Sequence, residues 1–253
     1  MNNFNFHSFE QQDEFVANIF DQKTNGFFLD IGSGHTLVGS NTIALEKTLD
    51  WTGVSFDLFD SKANYQWDLH RSSKFECMDV TSNQFYDYLK NSIPSNLVVD
   101  YISLDVDGPR GSDVITALGK IIDSKIKFKS LTLEHEYFLY GDTYRQPTRQ
   151  MLEDLGFIRL FGDVKAWSIG SRGNGTESFE DWWVHPGYFD TDLIDLKSSN
   201  LYSFECIEIL KQNRKNLYTC KHRCSNAFPK EYDLFFHDGH RDQQLKIFEQ
   251  FPR

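Results

Sequence analysis

The sequence is poor in cysteines, in long apolar runs and in basic residues, and each shortage excludes a class of protein. Four cysteines in 253 residues are too few for a disulfide scaffold. No apolar run approaches the roughly 20 residues that a membrane span needs. Residues 1–15 have neither the basic nor the apolar region of a signal peptide. We therefore expect a cytoplasmic protein with reduced thiols.

The charge balance disfavours two kinds of partner. Lys and Arg number 26 against 37 Asp and Glu, which gives a net charge of −11. A nucleic-acid-binding surface needs basic side chains to replace counterions, and electrostatic binding to anionic lipid needs them too. We therefore expect neither nucleic acid nor a membrane as a partner, whereas a second copy of the chain is left open.

The hydrophobic pattern alternates between short apolar strands and amphipathic helices. Strands are predicted at 27–31, up to 57, around 79, at 97–108, 128–138 and 157–161, and at 181–184. Helices are predicted at 9–22, after 42, between 108 and 128, and at 146–156. This alternation predicts an α/β fold with a mostly parallel sheet and helices on both faces. Residues 1–190 would form this domain, and 191–253 a C-terminal extension packed on it.

Acidic residues stand at the predicted ends of these strands, where ligands bind in open α/β sheets. They are Asp30, Asp57, Asp79, Asp105, Asp107 and Glu134. The first follows "FLD" and precedes Gly32 and Gly34, which let the backbone turn sharply and approach a ligand closely. The dinucleotide form G-x-G-x-x-G lacks its third glycine, because position 37 is Leu. A plain tight turn between strand and helix is the alternative.

Five segments between about 27 and 187 resemble, in order, the class I S-adenosylmethionine-dependent methyltransferases, and within them the FkbM-type family. They are "FLDIGSG", "GSNTIALEKTLDWTGVSFD", "VDYISLDVDG", "LTLEHE" and "LEDLGFIRL" followed by "FEDWWVHP". The resemblance implies a Rossmann-like fold. It also implies O-methyl transfer to a sugar hydroxyl of a nucleotide sugar or a surface-glycan precursor.

The resemblance also implies cofactor contacts. Asp30, Gly32 and Gly34 would line the methionine end, and Asp57 would accept hydrogen bonds from the ribose hydroxyls. Asp79 would face the adenine amino group, with Met78 against the ring, and Asp105 would also reach the cofactor. The family usually has Glu where Asp57 stands, so Asp60 is a competitor for the ribose.

The acidic strand ends agree with such a cofactor, because adenosylmethionine carries a sulfonium and an ammonium group. A pyrophosphate cofactor favours an uncluttered helix N-terminus instead. Two alternatives stay open: a non-catalytic protein that binds S-adenosylmethionine, and an NAD-dependent oxidoreductase.

A second cluster concerns the acceptor. Asp105 and Asp107 share one face of a strand, and Glu134 and His135 end the next strand. Oxygen ligands of this kind suit Mg²⁺ or Mn²⁺, so Asp105, Asp107 and Glu134 are candidate metal ligands. His135 is the candidate general base, with Asp107 as its rival. The plainer interpretation is that Asp107 caps a helix, Glu134 pairs with an Arg and His135 belongs to the core.

The C-terminal part contains a spacing that resembles a zinc site. Cys220 and Cys224 are followed, after twelve residues, by His237 and His240. The two histidines are closer together than in the usual pattern. Two packed thiols are the more common interpretation, so zinc is not expected here.

Overall fold

The computed structural model describes residues 4–106, 112–166 and 178–213. The strands are β1 (Phe27–Ile31), β2 (Thr52–Asp57), β3 (Lys74–Cys77), β4 (Val98–Leu104), β5 (Lys127–Glu134), β6 (Ile158–Lys165), β7 (Ser178–Val184) and β8 (Ser198–Ser199). The helices are α1 (Gln12–Ile19), α2 (Ile43–Leu49), α3 (Ser61–Tyr65), α4 (Trp67–His70), α5 (Asn83–Ser92), α6 (Ser112–Asp123), α7 (Tyr137–Tyr140), α8 (Asp142–Asp154), α9 (Thr191–Ile194) and α10 (Ser203–Asn213).

One sheet joins the described strands in the order β3-β2-β1-β4-β5-β7-β6-β8. Strands β1 to β5 pair in parallel. Strand β7 lies between β5 and β6 and is antiparallel to both. The predicted mostly parallel α/β sheet is confirmed. The strand order reverses between β1 and β4, and ligands bind at such a switch point in doubly wound sheets.

Two hydrophobic cores cover the two faces of the sheet. One core contains Phe15 of α1, Leu45 of α2 and Leu210 of α10. The other contains Phe85 of α5 and Leu118 of α6. Successive strand residues alternate between the faces. Trp182 of β7 accordingly packs in the first core and its neighbour Trp183 in the second. The predicted helices on both faces are therefore present.

Local details depart from the predictions in several places. Strand β4 ends at Leu104 and strand β5 at Glu134, and Tyr137 and Phe138 belong to helix α7 instead of to a strand. Strand β3 ends at Cys77, before Asp79, because the Asp79 carboxylate accepts the Thr81 N–H at 2.8 Å and forms a turn. Helix α8 begins at Asp142, directly after Gly141, which has a φ of 58°. Pro147 therefore lies inside this helix instead of near its start.

The described part of the C-terminal extension packs against the beginning of the chain. Lys211 of α10 forms an ion pair with Glu14 of α1 at 2.8 Å. The Ser203 hydroxyl donates to Glu10 at 2.9 Å. The domain boundary at residue 190 stays a prediction. None of the helices in the described ranges combines the length and apolarity that crossing a membrane requires.

Candidate functional site

A cavity of about 430 Å³ opens at the carboxyl ends of the parallel strands. Its walls come from Asp30 and the loop after β1, from Asp57 and Leu58 after β2, from residues 78–81 after β3, from Asp105, Val106 and Asp113 around β4 and α6, and from Phe9. The cavity therefore lies at the switch point between β1 and β4. Every described residue that the sequence assigned to the cofactor lines it.

The described part of the cavity wall is acidic. It carries five aspartates, namely Asp30, Asp57, Asp79, Asp105 and Asp113, and neither Lys nor Arg. Asp30 is only 2% exposed and accepts the Thr42 hydroxyl at 2.6 Å. Burial raises the pKa of Asp30, although Thr42 and the nearby Arg71 act in the opposite direction. This wall suits a ligand with positive charge.

The turn after β1 requires glycine at position 32. Gly32 has a φ of +84°, and a Cβ atom there would lie 1.7 Å from the Asp105 carbonyl oxygen. The N–H groups of Gly32 and Ser33 both donate to the Phe56 carbonyl, at 2.9 and 3.1 Å. The turn is thus held between β2 and β4, and its residues line the cavity.

Asp57 sits at the end of β2 with capacity for further hydrogen bonds. One carboxylate oxygen accepts the Gly34 N–H at 2.8 Å and the other accepts the Phe59 N–H at 2.7 Å. A carboxylate oxygen has two lone pairs, so each can accept another donor. Asp60 instead caps α3 through the Ala63 N–H at 3.1 Å and is not among the described lining residues. Of these two carboxylates, Asp57 is the one that lines the described cavity.

Two apolar side chains also line the cavity next to Asp79. Met78 and Val80 are buried and line the wall on either side of Asp79. The Asp79 Oδ1 atom already accepts both the N–H and the hydroxyl of Thr81. Apolar side chains beside a carboxylate suit a flat ring that bears an amino group.

A buried ion pair that the sequence analysis missed supports the β1–α2 loop. The Arg71 Nε atom lies 2.7 Å from Glu46 Oε2, and its Nη2 atom donates to the Thr42 hydroxyl at 2.7 Å. The guanidinium also lies 4.5 Å from the centre of the Trp67 ring. In the sequence Arg71 is a single basic residue without periodicity or motif, so no pattern marks it.

His35 forms part of the cavity wall with its ring against Tyr65, at 4.2 Å between centroids. Its Nδ1 atom accepts the backbone N–H groups of Leu37 and Val38, at 3.0 and 3.1 Å. Burial, together with neighbouring His70, lowers the pKa of His35 to about 4. The ring is therefore neutral at physiological pH.

The structure separates His135 from this cavity. His135 is 1% exposed, its Nε2 atom lies 3.6 Å from Asp181, and it is not among the described lining residues. Asp181 and Asp163 are held by Arg149, with contacts of 2.7 to 2.8 Å. Burial would raise the pKa of Asp181, but Arg149 outweighs it and holds that pKa well below the usual range. The role of His135 as a general base stays a prediction.

Three side chains, that of His135 included, carry atoms that could bind a metal ion. Among the described residues, His135, Asp163 and Asp181 each offer one within 4.8 Å of the others. Arg145 also contacts Asp163, at 2.5 Å. Two guanidinium groups thus already balance the two carboxylates, so this cluster does not fit a divalent cation.

The predicted metal ligands are only partly described. Asp105 lines the cavity, and Glu134 ends the neighbouring strand β5 opposite Glu180 of β7. Asp107 lies outside the described residues. The four residues of the zinc-like spacing, Cys220, Cys224, His237 and His240, lie outside them as well.

Three solved structures are similar to parts of the chain. A structure from Clostridium thermocellum assigned as an rRNA methylase is 15% identical, with a TM-score of 0.41 over 60% of this chain and 87% of that one. The 1,6-didemethyltoxoflavin-N1-methyltransferase of Burkholderia thailandensis, with bound substrate and S-adenosylhomocysteine, is 10% identical, with a TM-score of 0.43 over 70% and 76%. An S-adenosylmethionine-dependent methyltransferase of Clostridium acetobutylicum is 15% identical, with a TM-score of 0.34 over 51% and 52%.

No protein-family model and no curated protein matches the chain.

Proposed function

We propose that the cavity binds S-adenosylmethionine and that the protein transfers its methyl group to an acceptor. The observation that carries this proposal is the acidic wall, with five aspartates and neither Lys nor Arg among its described residues. A cofactor with a sulfonium and an ammonium group gains from such a wall by Coulomb attraction. Asp57 would bind the ribose, and Met78 and Asp79 would contact the adenine.

The same wall argues against a pyrophosphate cofactor, whose charges are negative. A pyrophosphate is bound by free backbone N–H groups at a helix N-terminus. Here the N–H groups of Gly32, Ser33 and Gly34 already donate to protein oxygens. Helix α2 begins only at Ile43. The NAD-dependent alternative is therefore less compatible with the site than S-adenosylmethionine.

For the acceptor, the resemblance to FkbM-type enzymes supports a sugar hydroxyl and O-methyl transfer. Asp105 in the cavity wall, Asp107 and Glu134 are oxygen donors of the type that Mg²⁺ and Mn²⁺ prefer. If bound there, the cation would polarise the acceptor hydroxyl. Asp105 would then lie between the cofactor and the acceptor. Asp107 would remove the proton, because His135 is buried and lies outside the described wall of the cavity.

Calorimetry with S-adenosylhomocysteine and with NAD tests the cofactor. We expect the wild type to bind the first and not the second. Asp57→Ala should weaken binding by about 1–3 kcal/mol, because it strands polar groups. Asp87→Ala is the matched control, since this exposed aspartate lies on α5, outside the described wall. Binding of NAD alone, or equal affinity in wild type and Asp57→Ala, would reject the proposed site.

Methyl transfer from labelled S-adenosylmethionine tests the acceptor. The panel should contain nucleotide sugars, glycan fragments and a structured RNA, each with and without EDTA. We expect transfer to a sugar and its loss after chelation. Tight cofactor binding without transfer to any sugar would favour a non-catalytic binding protein, and transfer to the RNA would overturn the sugar proposal.

A further inference from the structure

A second cavity, of about 280 Å³, lies at the opposite edge of the sheet and is called the aromatic cavity below. Lys127 in its wall pairs with Val98, the first residue of β4, whereas Asp105 of the first cavity follows the last residue of that strand. The strand between them spans roughly 20 Å, so the two cavities are separate sites. The described wall of the aromatic cavity consists of Ile126, Lys127, Phe128, Leu155, Phe157, His185 and Tyr188.

Four rings in contact with one another form most of this wall. The rings of Phe128 and Phe157 stack, with 4.5 Å between their centroids and 27° between their planes. Phe157 meets His185 edge to face at 5.1 Å, and Tyr188 lies 5.4 Å from His185. Tyr188 is 43% exposed, so part of this aromatic surface faces solvent. Because stacked and edge-to-face pairs are favourable, the wall suits one more flat ring.

Backbone hydrogen bonds hold the turns that carry these rings. The His185 N–H group donates to the Lys129 carbonyl at 2.8 Å, and the Tyr188 N–H group donates to the His185 carbonyl at 3.0 Å. On the other side, the Phe157 N–H group donates to the Leu152 carbonyl at 3.0 Å, directly after the end of α8. A ligand therefore has little chain to order when it binds, which lowers the cost of binding.

The aromatic cavity lacks the acidic side chains of the first one. Its described wall contains Lys127 and His185 and neither Asp nor Glu. Lys127 is exposed, and Lys125 and Lys129 stand two residues before and after it in the stretch "KIKFK". Three alternating lysines stand out in a chain whose net charge is −11. A ligand with negative charge gains from Coulomb attraction at this place.

Lys129 brings further positive charge to the rings. Its amine lies 5.7 Å from the centre of the Tyr188 ring and 2.6 Å from Asp100 Oδ1. Lys23 pairs with the same oxygen at 2.6 Å. Two ammonium groups thus share one carboxylate, so these three residues together contribute a net positive charge next to Tyr188.

We propose that the aromatic cavity binds a small aromatic carboxylate, with its ring against Phe157 and Tyr188 and its carboxylate toward Lys127. A volume of about 280 Å³ lies at the lower end of the range for small-molecule sites, so the ligand has one or two rings. The inference does not depend on the proposed function, because the two cavities have no described wall residue in common. They select ligands of opposite charge.

Calorimetry on the full chain with 2-naphthoate and 2-naphthamide tests the site, because the two probes share their rings and differ in charge. We expect the wild type to bind 2-naphthoate about two- to fivefold more tightly than the amide, the range for an exposed ion pair. Lys127→Gln should remove this difference by weakening 2-naphthoate alone. Tyr188→Ala should weaken both probes by about two- to tenfold, because it removes a ring contact.

Lys90→Gln is the matched control, since this exposed lysine also lies close to a tyrosine ring, 5.3 Å from the centre of Tyr86, but outside the described wall of the aromatic cavity. It should bind both probes as the wild type does. Absence of 2-naphthoate binding, equal affinity of the wild type for both probes, or equal losses in Lys127→Gln and Lys90→Gln would overturn the proposal. Tighter binding of adenosine 5′-monophosphate than of 2-naphthoate would overturn it in favour of a nucleotide.

Discussion

The Thr42 hydroxyl donates to the Asp30 carboxylate at 2.6 Å. The same hydroxyl oxygen accepts a hydrogen bond from Arg71 at 2.7 Å. Thr42 thereby links a buried cation to a carboxylate in the cavity wall. Asp30 and Arg71 are both buried. If the Thr42 hydroxyl were removed, neither could replace its hydrogen bond with one to water at low cost.

Thr42→Val should lower both stability and ligand affinity, because valine keeps the shape but removes the hydroxyl. We expect the free energy of unfolding in urea to fall by about 1–3 kcal/mol, the cost of leaving buried polar groups unsatisfied. Thr52→Val is the control, since Thr52 is the exposed first residue of β2. Equal unfolding curves for the two variants would contradict the assigned role of Thr42.

Glu46→Gln should be far more damaging than a similar change at the surface. It leaves Arg71 without its anionic partner, and breaking a buried pair costs about 3–5 kcal/mol. Glu76→Gln breaks the more exposed pair with Lys74, for which we expect about 0–1 kcal/mol. Chemical denaturation of both variants measures the difference, and similar losses would show that the Glu46–Arg71 pair adds nothing beyond a surface pair.

Stability should fall on acidification before most carboxylates titrate. Burial, with Arg71 nearby, lowers the pKa of His7 to about 4. In the unfolded chain a histidine takes up a proton near pH 6.5. The unfolded state therefore binds more protons between these values, and the contribution of His7 is present above pH 6.5 and lost as the pH falls toward 4.

Urea unfolding at several pH values checks this expectation. Between about pH 7 and pH 5 the His7 contribution should fall by about 2 kcal/mol. His35, whose pKa is also lowered to about 4, should add a similar slope. His7→Gln should make the profile less steep, because it removes one of these two contributions. A profile that is flat from pH 7 to 5 in the wild type would contradict the prediction.

The two glycines of the turn should respond differently to alanine. Gly32→Ala would place its Cβ atom 1.7 Å from the Asp105 carbonyl oxygen, whereas at Gly34 no atom lies within 4 Å of the added Cβ. Both have positive φ, which costs a residue with a side chain about 1–2 kcal/mol. Gly34→Ala should show only that loss, and Gly32→Ala a larger one together with loss of cofactor binding. Equal stability of the two variants would contradict the described turn.

The sequence predicts the strands near the cavity well because their signals are local. A buried apolar run that ends in Asp30 and is followed by Gly32 specifies a strand and a turn within seven residues. The same reasoning placed Asp57 and Asp105 at strand ends, and the parallel order of strands brings those ends to one edge of the sheet. These parts of the site need no information from distant residues.

The contacts that the sequence did not predict join residues that are far apart in the chain. Arg71 contacts Glu46 and Thr42, which lie 25 and 29 residues away in the sequence. No local sequence pattern predicts these contacts. His135 follows β5 as expected, but β7 inserts next to β5 and brings Asp181 toward the imidazole. Phe9 enters the cavity wall from a segment that precedes the first strand. The hydrophobic periodicity of a single helix or strand cannot predict any of these contacts.

The pairing of α1 with α10 has a consequence during synthesis. Glu10 and Ser203 are 193 residues apart, so the first helix leaves the ribosome long before its partner. At the usual rate of about 5–20 residues per second, this delay lasts about 10–40 seconds. Phe4, Phe6 and Phe15 belong to the core that includes α10, so this core stays incomplete until α10 has been synthesised. A nascent chain halted before α10 should therefore bind chaperones through its first twenty residues.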